Sequence, residues 1–154
     1  MALADLIAQN AVLPALKANS KKQLLQEMSA KAATLTGLPE REIFDVILQR
    51  ERLGSTGVGN GIAIPHGKMA HLDHIVGVFA RLEQPVNFEA LDDEPVDLVV
   101  LLLAPEGAGA DHLKALSRIA RVMRDSDLVE KMRATDDAAS LYAFLSDSQA
   151  SNAA

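Results

Sequence analysis

The sequence has no cysteine and no tryptophan, and aromatic residues make up only 3% of its 154 residues. The absence of cysteine excludes disulfide bonds, thiolate metal sites and a cysteine nucleophile. Because the hydrophobic fraction is still 49%, we expect a core built from aliphatic side chains. A chain of this length is expected to form one domain that buries about 68–70% of its unfolded surface.

Long apolar runs and an excess of positive charge are also missing. The longest apolar runs, VDLVVLLLAP and HIVGVFARL, fall well short of the ~20 residues that a membrane-spanning helix needs. The formal net charge is −6, which argues against a general nucleic-acid binder. Since the chain has neither disulfides nor a signal peptide, we expect a cytoplasmic protein that inserts into no membrane.

The hydrophobic pattern predicts a single three-layer α/β domain over residues 1–146, followed by a small, polar and disordered tail at 147–154. The two apolar runs are rich in β-branched residues and are expected to be central strands. Short strands are expected at 11–13, 62–64 and 86–88, with the PHGK segment at 65–68 forming a turn. Helices are expected at 20–37, 39–54, 111–123, 127–133 and 136–145, with Ser126 and Thr135 as N-caps of the last two.

The most unusual segment is RERLGSTGVGNGIAIPHGK, residues 50–68, which contains five glycines. It is not a nucleotide-binding loop. A P-loop needs four residues between its glycines, whereas Gly61 and Gly67 are separated by five and Lys68 is followed by Met69. A Rossmann turn fails as well, because Ile62 stands at its third glycine position. We therefore expect no nucleotide cofactor.

His66 closes this segment between Pro65, which restricts φ, and Gly67, which permits a close approach. It can be interpreted in three ways. It can be an incidental histidine on a surface hairpin. It can be a zinc ligand together with His71, Asp73 and His74, although their spacing matches no known helical pair of ligands. Finally, a neutral imidazole can attack phosphorus and carry the phosphoryl group covalently.

The third interpretation needs cations and hydrogen-bond donors around the phosphoryl oxygens. Nearby candidates are basic or carry a hydroxyl: Arg50, Arg52, Lys68, Ser55 and Thr56. His112 begins a predicted helix beside a Gly-Ala-Gly turn, and a helix N-terminus favours anions. The spacing in the sequence does not show whether these groups meet.

These residues carry a resemblance to a known family. Residues 50–68 resemble the active-site signature of the fructose/mannitol-type IIA domains of the bacterial phosphoenolpyruvate-dependent phosphotransferase system. PVDLVVLLLAPEGAGADHLKALSRIAR, residues 95–121, is similar to the second block of that family. The resemblance covers about residues 3–146 and is strongest to the nitrogen-type branch, whose members are stand-alone regulators.

The resemblance implies a mixed, mostly five-stranded sheet flanked by helices, and it implies that His66 is phosphorylated on Nε2. It also implies that His112 and Arg50 stabilise the phosphoryl group, with no metal and no organic cofactor. The glycine loop would shape the phosphate pocket through five residues: Ser55, Thr56, Gly61, Gly67 and Lys68.

The family's donor is a small phosphocarrier protein, which an enzyme I charges from phosphoenolpyruvate. Two functions follow from the resemblance. In one, a phosphocarrier of the nitrogen branch phosphorylates a regulator that controls partners such as potassium transport or sensor kinase proteins. In the other, this histidine phosphotransferase component passes its phosphate to a IIB domain and then to sugar. Neither partner identity nor oligomeric state follows from the sequence.

Overall fold

The computed structural model describes the backbone of residues 3–153 and the side chains of residues 3–146. The helices and strands follow one another along the chain, with one 3₁₀ turn at Gln9–Ala11 after the first helix. They are α1 (Leu3–Leu6), β1 (Val12–Leu16), α2 (Lys21–Thr36), α3 (Glu40–Arg52), β2 (Gly57–Gly59), β3 (Ile62–Ala63), β4 (His66–Met69), β5 (Val76–Val86), β6 (Val96–Pro105), α4 (Ala110–Val122), α5 (Ser126–Arg133) and α6 (Ala138–Ala153).

The strands form one mixed sheet in the order β1-β5-β6-β3-β2, and β4 also pairs with β6. The two long strands β5 and β6 are antiparallel, whereas β3 and β4 run parallel to β6. The sheet is therefore five strands wide, because β3 and β4 follow each other along the same side of β6. This confirms the predicted mixed, mostly five-stranded sheet.

Alternation along β6 explains the three layers, because successive side chains of a strand point to opposite faces. Leu98, Val100 and Leu102 face the core beneath α1, α4, α5 and α6. Val99, Leu101 and Leu103 face the core beneath α2 and α3. A strand that is buried on both faces has a continuous apolar sequence. The burial of β6 between two layers of helices therefore explains the apolar run in the sequence.

The PHGK segment is not the predicted turn, because His66–Met69 forms strand β4. Ile62 and Ala63 pair with Leu98 and Val99, and His66 pairs with Leu102 in the same register. Pro65 lacks an N–H group and so cannot donate to the ladder. The pairing is interrupted at Ile64 and Pro65 and then resumes, so the proline breaks the ladder without turning the chain.

Another predicted element has different bounds. The short strand predicted at 86–88 is wrong, since β5 continues to Val86, which pairs with Val96.

The first long helix agrees with the sequence: the Ser20 hydroxyl accepts a hydrogen bond from the Gln23 amide at 3.1 Å, and Gly37 ends α2 with φ of 78°.

Two predicted N-caps are wrong by one or two residues. Asp125, not Ser126, accepts the hydrogen bond from the Leu128 amide at 3.2 Å. Thr135 instead donates its hydroxyl to the Lys131 carbonyl, and Asp137 accepts from the Ser140 amide. An aspartate beside a hydroxyl residue is an equally good cap, so the residue types alone did not decide between them.

The bounds of α6, Ala138–Ala153, cover most of the tail that the composition predicts to be disordered. The side chains of residues 147–154 and all of Ala154 lie outside the described residues. The disordered tail and the domain bounds of 1–146 therefore stay predictions.

The N-cap of α5 gives a stability prediction. Asp125→Ala removes the side-chain acceptor, so we expect the free energy of unfolding to fall by about 1 kcal/mol. Ser126→Ala is the matched control and should change stability by much less. Urea unfolding followed by circular dichroism measures both. A larger loss for Ser126→Ala would contradict the assignment of the cap to Asp125.

Candidate functional site

His66 lies at the start of β4 and is half-buried. A β-carbon on the next residue, Gly67, would lie only 2.6 Å from Val46 Cγ1 on α3. Gly67 therefore faces α3, and only glycine allows the helix to approach this closely. Because side chains alternate along a strand, His66 and Lys68 point to the other face of the sheet, towards α4.

One hydrogen bond fixes the chemistry of the His66 ring. Its Nδ1 lies 2.9 Å from the carbonyl oxygen of Ile64. A carbonyl can only accept, so Nδ1 carries the hydrogen in the neutral ring and donates it. The other nitrogen, Nε2, then keeps its lone pair, and this is the nucleophilic nitrogen.

The Ile64 carbonyl accepts this bond at the point where the β-ladder is interrupted. The Ile64 amide donates to the Thr56 carbonyl at 3.0 Å, and the Pro65 carbonyl accepts from the Leu102 amide at 2.9 Å. Both sides of the interruption are thus held by backbone hydrogen bonds. Ile64 and Pro65, which link β3 to β4, are therefore a rigid support for the His66 imidazole.

His112 lies in the first turn of α4, and its ring centroid is 5.6 Å from that of His66. The residue is buried, and its Nδ1 has no hydrogen-bond partner among the described residues. Burial lowers the pKa of His112, and the nearby His66 and Lys68 lower it further. The environment of His112 therefore favours the neutral imidazole, which has one unused polar atom and lies next to the His66 ring.

Arg50 lies in the last turn of α3 and is half-buried. Its guanidinium donates to the Gly54 carbonyl at 2.9 Å. Gly57 pairs with Ala63 in an antiparallel register, which brings the turn at Gly54 back alongside the segment that ends in His66. This hydrogen bond therefore ties the guanidinium to the turn at Gly54, whereas the Arg52 side chain is exposed.

Ser55 and Thr56 are occupied within the protein. The Ser55 hydroxyl donates to the Phe88 carbonyl at 3.0 Å and accepts from the Gly57 amide at 3.1 Å. Thr56 is buried, and its hydroxyl donates to the Glu51 carboxylate. In this conformation both hydroxyl groups hold the loop rather than point at His66.

Gly61 is not brought to His66. The neighbouring Ile62 pairs with Leu98, whereas His66 pairs with Leu102; four residues of strand span about 13 Å at ~3.3 Å each. A β-carbon on Gly61 would instead collide with the Arg133 guanidinium, which pairs with Asp97 at 2.9 Å. Gly61 therefore serves the packing of α5 against the loop.

Glu51 is a residue near the site that the sequence analysis did not single out. Its side chain is only 2% exposed and forms an ion pair with Lys21. A charged residue at the end of an amphipathic helix is normally predicted to be solvent-exposed. The only feature of the sequence that pointed to Glu51 was its place between Arg50 and the glycine loop.

The remaining histidines of the sequence, His71 and His74, are exposed. His74 Nδ1 lies 2.6 Å from the Asp73 carboxylate. Among the residues that the structure describes, no group of three or more His, Cys, Asp or Glu side chains is arranged to hold a metal ion. In the same part of the chain, no helix is both long and apolar enough to cross a bilayer.

The burial of His112 gives a pH prediction. Its pKa is below the ordinary value of about 6.5, so the unfolded chain binds this proton more readily than the folded one. The free energy of unfolding should therefore fall as the pH drops from the ordinary pKa towards the lowered one. NMR titration of the ring protons measures the pKa, and urea unfolding of His112→Asn should show a smaller pH dependence. A midpoint at or above the ordinary value would contradict the burial argument.

The sequence is similar to those of known proteins over most of its length. The chain is 63% identical to a nitrogen regulatory protein of Bradyrhizobium diazoefficiens over 94% of this chain and 95% of that protein. It is 43% identical to a nitrogen regulatory protein of Escherichia coli over 84% and 80% of the two chains.

The fold agrees with solved structures. The crystal structure of nitrogen regulatory protein IIA-Ntr from Neisseria meningitidis matches with a TM-score of 0.88 and 33% identity, over 93% of this chain and 98% of that one. The mannitol IIA crystal structure from Escherichia coli shares the fold, with a TM-score of 0.75 and 23% identity over 90% and 96% of the chains. Residues 5–148 match the family described as the phosphoenolpyruvate-dependent sugar phosphotransferase system, EIIA 2, and the chain belongs to this family.

Proposed function

We propose that His66 accepts a phosphoryl group on Nε2 from a phosphocarrier protein. The observation that carries the proposal is the hydrogen bond from Nδ1 to the Ile64 carbonyl, because it leaves Nε2 as the nitrogen with a lone pair. As the Nε2–P bond forms, the bond from phosphorus to the donor breaks, and Nδ1 keeps its hydrogen. A half-exposed ring suits this step, since the donor protein must approach the same nitrogen in line.

Three side chains stabilise the charge of the transferred group. Phosphoryl transfer depends mainly on positioning and on electrostatic stabilisation. Arg50 is tied to the turn at Gly54, Lys68 lies on the same face of β4 as His66, and His112 has an unused buried nitrogen beside the ring. Gly67 contributes indirectly, by letting α3 pack on the strand that carries His66.

The output of this site is regulatory. The relatives that match nearly end to end are named nitrogen regulatory proteins, and we assign the same role to this chain. A phosphoryl group adds nearly two negative charges to a protein whose net charge is already −6. Such a local change can reverse electrostatic complementarity to a partner without refolding. We expect a cytoplasmic protein, with potassium transport or sensor kinase proteins as its partners.

A second function, transfer to a IIB domain and then to sugar, has one observation in its favour. The chain is 32% identical to the fructose-specific EIIABC component of Bacillus subtilis over 86% of this chain, but over only 21% of that protein. The regulatory relatives align over up to 95% of their length, which favours regulation. Label that passes from His66 to a IIB domain and to sugar would favour transport.

The nucleophile is tested by His66→Ala. We expect no phosphorylation by the phosphorylated carrier, because the variant lacks the Nε2 lone pair that the bond to the Ile64 carbonyl leaves free, while the fold remains intact. Intact mass after incubation with phosphoenolpyruvate, enzyme I and carrier measures the incorporation. His74→Ala, which alters an exposed histidine, is the matched control and should be labelled normally. Full labelling of His66→Ala would overturn the assignment.

The charge-stabilising groups are tested by Arg50→Ala and His112→Ala. Each removes one donor to the transferred group, so each should slow the transfer by about 10²–10³-fold. Rapid-quench measurement of phosphorylated protein against time gives the rates. Arg52→Ala, next to Arg50 but exposed, is the control for the loss of a positive charge. Transfer at the normal rate in either of the first two variants would show that its side chain is not part of the site.

A further inference from the structure

The Glu51 carboxylate lies next to the proposed site but takes no direct part in it. It is in the last turn of α3 and follows Arg50 directly. Its side chain is only 2% exposed, whereas carboxylates are almost never buried unless they are paired. The proposed transfer step assigns Glu51 no function, so its burial next to Arg50 needs another explanation.

Both oxygens of Glu51 are engaged. Oε1 is 3.0 Å from Lys21 Nζ and accepts from the Thr56 amide at 3.1 Å. Oε2 accepts from the Thr56 hydroxyl. One carboxylate thus binds the first turn of α2 and the beginning of the glycine loop at the same time.

Lys21 and Ser55 extend this network to the segment after β5. Lys21 Nζ lies 4.6 Å from the ring centroid of Phe88, within cation–π distance. The Ser55 hydroxyl donates to the Phe88 carbonyl. Glu51 is the centre of a network that joins α2, α3, the glycine loop and residue 88.

The turn that this network encloses also carries Arg50. The Glu51 carbonyl accepts from the Gly54 amide at 3.1 Å, and the Gly54 carbonyl accepts from the Arg50 guanidinium at 2.9 Å. The Glu51 side chain holds the far end of the same turn at Thr56. Gly54 lies between these two attachments, so the contact between Glu51 and Thr56 restrains the segment whose carbonyl accepts from Arg50.

A buried ion pair is poor evidence for a purely stabilising role. The cost of removing both charges from water can exceed their mutual attraction, and well-packed apolar replacements are often as stable. What the pair supplies here is directional: three groups, the Lys21 ammonium and the amide and hydroxyl of Thr56, converge on one carboxylate in one geometry. This favours a positioning role over a stabilising one.

We propose that Glu51 is a positioning residue for the phosphoryl transfer, acting through Thr56 and Gly54 to hold the Arg50 guanidinium at the site. This inference rests on the proposed phosphorylation of His66. It assigns Glu51 no contact with the phosphoryl group. It predicts that loss of the carboxylate impairs the transferring step rather than the binding of the carrier.

The kinetic test uses Glu51→Gln and Thr56→Val in the full chain, with Asp45→Asn, an exposed carboxylate on the same helix, as the matched control. At saturating phosphorylated carrier, both variants should transfer up to about 10²-fold more slowly, since a displacement of about 1 Å can cost that much. The carrier concentration that gives half the maximal rate should not change, and Asp45→Asn should behave as wild type. The double variant should be no slower than the slower single variant, because both act through one linkage.

A second readout does not depend on phosphorylation. The heteronuclear NOE of the Arg50 Nε–Hε group reports the mobility of the guanidinium, and it should fall in both variants but not in Asp45→Asn. Wild-type transfer rates together with an unchanged Arg50 signal would overturn the proposal, even if both variants melted at a lower temperature. If wild type itself takes up no phosphate, the proposed function fails, and the Arg50 signal still decides whether Glu51 positions this side chain.

Discussion

The hydrogen bond from His66 Nδ1 to the Ile64 carbonyl is the interaction on which the rest of the site depends. A neutral imidazole exists in two tautomers, and only the nitrogen without hydrogen is a nucleophile. The carbonyl selects one tautomer and also fixes the plane of the ring. Because Ile64 and Pro65 are tied to the neighbouring strands on both sides, the acceptor itself has little freedom. The fold thus determines which nitrogen of His66 has the lone pair, and not only where the ring lies.

The surrounding groups reach His66 from two layers of the domain. Strand β4 has α3 packed against one face through Gly67, and α4 places His112 on the other. Arg50 comes from the end of α3, where its guanidinium donates to the Gly54 carbonyl. The three proposed charge-stabilising groups are therefore carried by one strand and two helices.

Electrostatics explains why a neutral His112 suits this arrangement. A protonated His112 would place a buried positive charge close to His66 and Lys68, and burial disfavours it. In the proposed function, a phosphoryl group on His66 would reverse this balance, because a nearby negative charge favours the protonated ring. The Nδ1 of His112, which has no partner among the described residues, would then be one of its donors.

The sequence was sufficient to predict those parts of the fold that show a regular hydrophobic pattern or a short motif. The two buried strands, the capped helix α2 and the three-layer arrangement all followed from the pattern, and the family motif singled out His66. Apart from the two N-caps, the errors lie where long-range pairing decides. Strand β4 was predicted as a turn because Pro65 looks like a breaker, whereas the ladder on β6 continues past it. Gly61 was grouped with the phosphate site because it is near in sequence, but the register places it beside Arg133.

Glu51 and Thr56 are two residues whose burial and partners could not be predicted from the local sequence. Local sequence makes a glutamate at a helix end look solvated and a threonine in a glycine loop look available to phosphate. Only the packing of α2, α3 and the loop reveals that each of the two is the other's partner. Burial and partner choice are properties of the assembled layers, and no local pattern encodes them.

The most direct measurement is a ³¹P–¹⁵N NMR correlation on the phosphorylated protein with ¹⁵N-labelled histidine. The account predicts one phosphorus atom coupled to Nε2 of His66, with Nδ1 of the same ring still protonated and hydrogen-bonded. Coupling to Nδ1 of His66, or to either nitrogen of His112, would contradict it, since the Ile64 carbonyl would then not be what selects the nucleophile.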